Sequence, residues 1–558
     1  MRVPARVSIW PRPTGPFNPS WRIATINPET HTPLVLQNAR IYSLAPETSL
    51  FGSLLIRDGL VAGVSAADPP QSWLEYAPDR IDLEGLTVLP GLWDAHIHLE
   101  KYAQSLHQLD LELPSLQDCL ARVRAAAAHA SPGEWILGHG WNQNKWDRYG
   151  TAADLDRVAP DNPVYLTAKS LHAAWVNSRA LEAAGIVAES PDPPDGYLGR
   201  REDGAPNGLL FEGAMRLVSS RIEPPSPQTL AAWLRTALNE LVAAGITGVH
   251  DFDGPRCFQA LQILREQGDL PLRVLKHLPH DEMKKALALG LRTGFGDDFL
   301  RLGNIKLFAD GALGPRTASM LEPYSTDPDN YGSLLLGRDE ILRIGIEAAE
   351  QGIALAVHAI GDRANREVLD AFEALRTWEV EKTTRPLPHR MEHLQILHPD
   401  DIQRVAELRL VASMQPIHAI SDMTMAEEHW GPRTRWAYAW QSIRRTGASI
   451  VFGSDAPVEP PNPFLGLYAA ISRRRLDGTP PEGWVPEERL DLSEALACYT
   501  WRPADAAHMD RPAGRISPGS YADLIVLDTD PFEMDPRELA GLSPVGVMTN
   551  GEWRVRAF

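Results

Sequence analysis

The 558-residue sequence predicts an α/β protein, a (β/α)₈ barrel carrying a small β domain assembled from both ends of the chain. Three observations predict it. Eight strand-like segments alternate with helix-like stretches between residues 91 and 508, the repeat that a closed parallel barrel requires. Short β-like segments cluster over residues 34–90 and 509–558. A gap from about 100 to 245 separates the first two barrel strands and is too long for one crossover. At ~150 residues per domain the length alone suggests three or four units, but one large barrel plus a small domain fits it equally well.

Taken in order, residues 1–33 are rich in proline, with Trp10, Phe17 and Trp21 interspersed, and read as an extended arm. LVLQNARIYSL, SLLIRDGLVAGVSA with a turn at Asp58-Gly59, and RIDLEGLTVLPG then read as a small antiparallel sheet. The barrel strands are GLWDAHIHL (91–99), TGVHDF (247–252), LRVLKHL (272–278), NIKLFADG (304–311), ALAVHAIGD (354–362), HRMEHLQI (389–396), LVASMQP (410–416) and SIVFGSDAPV (449–458). Between them, stretches such as DEILRIGIEAAEQG and PDDIQRVAELR repeat apolar residues at helical spacing. The gap holds its own strand-like pieces, GEWILGHGW and PVYLTAK, and reads as an insertion covering the barrel mouth, where active sites of this fold lie. GRISPGSYADLIVLD, PVGVMTNG and EWRVRAF, with a turn at Asn550-Gly551, return the chain to the small β domain.

Composition narrows the function. Hydrophobic residues at 44% and charged residues at 23% are ordinary for a protein with a sizeable core, which excludes general disorder. Lys+Arg 54 against Asp+Glu 73 gives a formal charge of −19, so nucleic acid and anionic membranes are not expected partners. The arginine runs Arg444-Arg445 and Arg473-Arg474-Arg475 read as solvated helix faces or local ion pairs. Cys119, Cys257 and Cys498 lie far apart, so neither a disulfide framework nor a thiolate metal site is indicated. No run of ~18 apolar residues suggests a membrane span, and the N-terminal prolines leave no room for a signal-peptide apolar region. The expected setting is the cytoplasm.

His96 and His98 open the chemistry. In a strand, residues i and i+2 face the same side, so H-x-H sets two imidazoles side by side. Alone, the pair is also what two hydrogen-bonded core histidines look like. The other strand ends change the reading: Lys306 lies within an apolar strand, where an ammonium is costly unless paired or neutralised. His358, His393 and Asp455 end the fifth, sixth and eighth strands. Together they ring one barrel mouth with imidazole and carboxylate, a ligand set for zinc or a similar divalent ion.

P-G-L-W-D-A-H-I-H-L, I-K-L-F-A-D-G-A-L-G-P-R-T-A, H-A-I-G-D-R-A, E-H-L-Q-I, S-M-Q-P-I-H and G-S-D-A-P-V, in this order, resemble the amidohydrolase superfamily. More narrowly they resemble its YtcJ-like branch, amidohydrolase family 3, which includes N-substituted formamide deformylases. The resemblance spans about residues 34–557. It implies a metal-dependent hydrolase on a distorted (β/α)₈ barrel, with a composite β-sandwich made from the chain ends. It further implies two divalent ions, zinc first, with manganese or iron also suited to such ligands. His96, His98 and Asp455 would hold the more buried ion, His358 and His393 the second, and an N6-carboxylated Lys306 would bridge them. Lys306 as an uncarboxylated ion-pair partner stays open. Asp455 would shuttle the proton from water to the leaving amine.

Substrate-facing candidates are Trp141, Asn142 and Trp146 from GHGWNQNKW, and His172 and Asn177 from SLHAAWVNSRAL. His172 either donates a hydrogen bond to the carbonyl oxygen or packs its loop. Asp310 and Arg316 either orient the substrate or brace their loop by pairing. His250, Asp251 and His277 read as supporting or structural residues, and Gln415 and His418 as pocket-lining ones. The expected activity is hydrolysis of a non-peptide C–N bond, amide or formamide, in a small molecule. Ester, lactone or cyclic-amide hydrolysis on the same site is the first alternative, and a non-catalytic relative that binds metal and ligand is the second. A homodimer, with the N-terminal arm reaching a second subunit, is compatible with this composition.

Overall fold

The computed structural model describes residues 32–44, 49–143, 146, 148–382 and 386–558. The expected N-terminal arm, except for its last two residues, lies outside them. Eight parallel strands form the barrel: β1 (Leu92–Ile97), β2 (Ile246–Asp251), β3 (Arg273–Pro279), β4 (Leu300–Phe308), β5 (Leu355–Ala359), β6 (Arg390–His393), β7 (Val411–Met414) and β8 (Ser449–Phe452). They pair consecutively from β1 to β8. Four are buried along their whole length and the other four at all but one residue, which is why they read as apolar runs rather than alternating ones. Helices fill the crossovers; in Arg338–Glu350, for example, Ile341, Ile344 and Ala348 form the buried stripe against the sheet.

The barrel is nearly closed. Past the strand ends, the Asp455 N–H donates to the His96 carbonyl at 2.7 Å and the His98 N–H to the Ala456 carbonyl at 3.0 Å. Buried Asp94 ties the same seam, accepting from the backbone N–H of His96 (3.1 Å) and Ser454 (3.0 Å) and from the Ser454 hydroxyl (2.5 Å). The register β4–β5–β6 sets Phe308 opposite His358 and His358 opposite Glu392, so the functional ends of these strands lie at one level.

The chain ends share one eight-stranded sheet, with Leu34–Tyr42, Ser49–Arg57, Leu60–Ser65, Asp79–Asp82 and Thr87–Pro90 joined by Leu524–Leu527, Gly546–Thr549 and Glu552–Arg556. Both expected turns are present, with Asp58-Gly59 (φ 53° and 75°) and Asn550-Gly551 (φ 54° and 79°) in the left-handed pairs that two-residue hairpins need. The sheet is not purely antiparallel, as the sequence suggested. Leu34–Tyr42 runs parallel to Asp79–Asp82 in its first half and to Thr87–Pro90 in its second, divided by a bulge between Leu36 and Ala39. The crossover through the short helix Gln71–Leu74 returns the chain in the parallel sense.

The insertion has its own six-stranded sheet, ordered Gly196–Arg200, Pro206–Glu212, Ala173–Val176, Val164–Ala168, Ile136–Trp141, Leu109–Asp110. It is built around Trp141, Trp175 and Phe211. It touches the eighth barrel loop where His139 Nε2 meets the Pro457 carbonyl at 3.2 Å. Arg473, expected on a solvated helix face or in a local ion pair, is fully buried. Its guanidinium donates to the carbonyls of Trp484, Tyr438 (3.0 Å) and Ala437 (3.3 Å) and lies 4.4 Å over the Trp440 ring, so three acceptors and an aromatic face replace its hydration. No helix among the described residues is long and apolar enough to cross a membrane.

Candidate metal centre

Four imidazoles converge on the barrel mouth, and the partner of one ring nitrogen fixes the state of the other. His96 Nδ1 lies 2.7 Å from Glu392 Oε2, and His98 Nδ1 lies 3.0 Å from Asp253 Oδ1. A carboxylate only accepts, so each Nδ1 carries a proton, and in the neutral ring the lone pair is then on Nε2. His393 Nδ1 likewise meets Gln415 Oε1 at 2.9 Å. His358 is reversed, its Nε2 donating to the Gly311 carbonyl at 2.9 Å, which leaves the lone pair on Nδ1. Burial holds His358 and His393 neutral, far below the usual imidazole range. His96 is pushed down to about 4 by burial and the nearby Lys306 charge.

Asp455 faces the Nε2 atoms of His96 and His98. Its Oδ1 is 3.6 Å from His96 Nε2 and 3.5 Å from His98 Nε2, and its Oδ2 is 3.3 Å from His418 Nε2. Asp455 (φ 60°) and His393 (φ 78°) both adopt the left-handed backbone, costly for non-glycine residues and concentrated where side chains must leave a strand at an unusual angle. The ligand atoms of His96, His98 and Asp455 lie within 4.8 Å of one another, as do those of His393, His418 and Asp455. His96 Nε2 is buried with no hydrogen-bond partner. An orphaned buried lone pair beside a second imidazole and a carboxylate fits a divalent cation of the zinc type.

Lys306 Nζ lies 4.6 Å from the Phe252 ring centroid and 5.0 Å from that of Phe308, and makes no hydrogen bond or ion pair among the described residues. Burial lowers its pKa to about 8, although Glu392 and Asp455 act in the opposite direction. A third acidic group, Asp251, Asp253 and Cys257, is also compact. There, however, the buried Lys276 ammonium lies 2.7 Å from Asp251 Oδ2 and donates to the Asp253 carbonyl, so a cation of the chain already fills it. Asp251 also accepts from Leu99 N–H at 2.9 Å, His250 Nε2 meets the Pro503 carbonyl at 3.1 Å, and His277 Nδ1 accepts from Asn304 N–H at 2.8 Å.

The centre lies in a cavity of about 1560 Å³ walled partly by the insertion. Trp141, Asn142, Trp146, His172 and Arg316 line it. The Trp141 indole N–H is committed to the Leu166 carbonyl at 2.8 Å and its ring is buried in the insertion's core, so the expected substrate contact of this residue is not available. His172 Nδ1 meets Glu212 Oε2 at 2.8 Å, and its ring centroid is 6.1 Å from that of His358. Burial opposes the charged form of His172, but Glu212 outweighs it and the net shift favours protonation.

Asn177 does not reach the cavity. It is fully buried and caps the helix Ser178–Ala184. Its Oδ1 accepts from Val164 and Ala180 N–H, and its Nδ2 donates to the Ala159 and Asn162 carbonyls. Arg316 pairs with Asp327 at 3.5 Å rather than with Asp310. The Asp310 carboxylate instead accepts three backbone N–H groups, from Ser319, Ile360 and Gly361. Sequence reasoning missed Glu392, Asp253 and Asp94. The available signals were the charges of R-M-E within a buried strand and the acid two residues beyond Asp251.

A barrel mouth with this donor set defines a metal-dependent hydrolase. Residues 79–555 match the amidohydrolase family, and the chain belongs to it. It is 32% identical over 525 residues to a putative amidohydrolase, YtcJ, of Bacillus subtilis, covering 92% of this chain and 97% of that one. It is 27% identical over 554 residues to an N-substituted formamide deformylase of Arthrobacter pascens, covering 93% and 98%. A crystal structure of an uncharacterised metal-dependent hydrolase from Pyrococcus horikoshii superimposes with a TM-score of 0.75 at 28% identity, covering 90% of this chain and 99% of that one.

Proposed function

We propose that this protein hydrolyses a non-peptide C–N bond, amide or formamide, in a small molecule. The observation that carries the reading is the meeting of the His96 and His98 Nε2 atoms at Asp455, with a ligand atom of His393 also beside Asp455 and His358 lining the same cavity. The similarity to an N-substituted formamide deformylase supports the choice of bond. His96, His98 and Asp455 would hold one ion and His358 and His393 a second, zinc being the first choice for this donor set. Lys306 would join the two as its N6-carboxylate, formed when the neutral amine adds to CO₂ and releases one proton; its burial favours the neutral amine. Divalent ions held there supply Lewis acidity and lower the pKa of water toward ~7.

The chain's own groups do the rest. Asp455 takes the proton of the attacking water and delivers it to the departing nitrogen, so the amine leaves neutral while the acyl carbon gains oxygen. His172, whose charged form Glu212 favours, would donate a hydrogen bond to the carbonyl oxygen as charge develops there. Trp146, backed by the buried Trp141, presents apolar surface to the substituent. Three buried free cysteines suit a reducing, intracellular setting.

A panel of N-substituted formamides, simple amides, esters and lactones, offered to protein with a measured ion content, tests the reading. Release of amine from at least one amide supports it. Ester or lactone turnover with no amide cleavage would replace the bond assigned, and no turnover by ion-loaded protein would favour a binding role.

A further inference from the structure

Directly beneath His96, the barrel interior holds a guanidinium–carboxylate pair that the reaction above does not use. Arg390 and Glu392 lie two residues apart in β6, and their side chains are 2% and 0% exposed. Arg390 Nε donates to Glu392 Oε1 at 2.5 Å and Nη2 to Oε2 at 3.1 Å. Its remaining donors reach the Ala95 carbonyl of β1 (2.8 Å), His250 Nδ1 of β2 (2.7 Å) and the Ser413 hydroxyl of β7 (2.9 Å). Glu392 Oε2 then accepts from His96 Nδ1 at 2.7 Å.

A buried ion pair seldom stabilises a fold more than apolar side chains of the same volume. The centre of a barrel is normally filled with branched aliphatics, so structure alone gives little reason for this pair. Its geometry gives another reason. Glu392 accepts only, and Arg390 holds both of its oxygens, so the carboxylate has one position and one unsatisfied direction, toward His96 Nδ1. The imidazole is thereby fixed in rotation and as the Nδ1–H tautomer, with Nε2 directed at Asp455 before any ion arrives.

We propose that Arg390 and Glu392 are positioning residues for the ion held by His96, His98 and Asp455, and that they preset its affinity rather than the stability of the barrel. The proposal rests on the metal-centre reading above. Outer partners of ligating histidines typically change ion affinity 10–100-fold when removed. The same chain supplies a control, because buried Glu379 pairs with buried His389 Nε2 at 2.9 Å, a similar contact of a histidine that does not line the cavity.

The test is equilibrium dialysis of the full chain against zinc, with elemental analysis, for wild type, Glu392→Gln, Glu392→Asp and Glu379→Gln. Glu392→Gln should weaken one of the two ions 10–100-fold and leave the other nearly unchanged. Glu392→Asp keeps the charge near Arg390 but withdraws it from His96, and should show the same selective loss. Glu379→Gln should lower Tm without changing either affinity. Unchanged affinity in both Glu392 variants, or an equal loss in Glu379→Gln, would overturn the proposal. If the variants fail to fold, ¹⁵N–¹H spectra of the chelated wild type decide, with His96→Asn assigning the signal. A Nδ1–H on His96 is required, and a Nε2–H overturns the positioning role. Failure of the wild type to bind any ion is a separate result, which removes the metal-centre reading itself.

Discussion

The two oxygens of Asp455 are divided between partners of different kind, with Oδ2 3.3 Å from His418 Nε2 while Oδ1 faces the Nε2 atoms of His96 and His98. His418 follows β7, at the start of the helix Pro416–Trp430, and is itself buried. A carboxylate held this way can serve a cation through one oxygen and a proton through the other.

Removing the proton-accepting oxygen should therefore cost far more than removing its support. Asp455→Asn is expected to lower kcat by about 10²–10⁴-fold, the usual share of a general acid–base group. His418→Phe is expected to lower kcat by about 10-fold, with ion content unchanged, since Asp455 and its ligating oxygen remain. Steady-state kinetics beside elemental analysis checks both. Equal losses in the two variants would contradict the division of labour.

Chelation tests the ions as part of the fold. An ion that binds only the native state stabilises it by about 2.7 kcal/mol at a hundred times Kd. Exhaustive dialysis against a chelator should abolish turnover and lower Tm, and added zinc or manganese should restore both. A Tm indifferent to chelation would mean that these lone pairs bind no ion.

The strands were legible because their signal is local: apolar runs of the right length, punctuated by turns. His96, His98, Lys306, His358, His393 and Asp455, the proposed ligand set, carry a local mark of the same kind, a polar residue within or at the end of an apolar strand. What escaped was pairing across the barrel. Glu392 supports a histidine 296 residues away, and Asp253 one 155 away, so neither contact leaves a mark in its own segment. Asn177 was misread because a carboxamide serves a helix cap as readily as a substrate. The sequence leaves Arg316 either to orient the substrate or to brace its loop with Asp310; it lines the cavity and pairs with Asp327, whereas backbone N–H groups already fill Asp310.

Lys306 predicts a pH dependence in the ion-free protein. Its pKa is about 8 when folded and near 10.5 when free, so between these values the unfolded chain binds more protons. Stability should rise with pH across that window by about 3 kcal/mol from this group, at 1.36 kcal/mol per unit. Below pH 8 the full penalty of burying the ammonium applies. Chelated Lys306→Met should thus be more stable than chelated wild type at pH 7, with the difference vanishing above pH 10.5. Urea melts at both ends of the window check it, and a constant difference would refute the buried amine.

His172 should behave as a group that acts only once charge develops on the substrate. His172→Asn is expected to lower kcat by about 10²–10³-fold with little change in KM, the range seen when one oxyanion donor is removed. Ion content should stay at the wild-type value, because His172 contacts Glu212 and no ligand nitrogen. A rise in KM at constant kcat would assign it to substrate binding in the ground state instead.

Asn177 should give the opposite result. Its side chain satisfies two backbone donors and two backbone carbonyls, all buried inside the insertion. Asn177→Ala strands these groups at about 1–3 kcal/mol each, partly relieved by relaxation, so a loss of about 2–5 kcal/mol is expected. Activity per folded molecule should be unchanged, because nothing the residue touches faces the cavity. Denaturant melts give the first quantity, and kcat/KM normalised to the folded fraction gives the second. A variant of normal stability with impaired kcat/KM would return Asn177 to the substrate site.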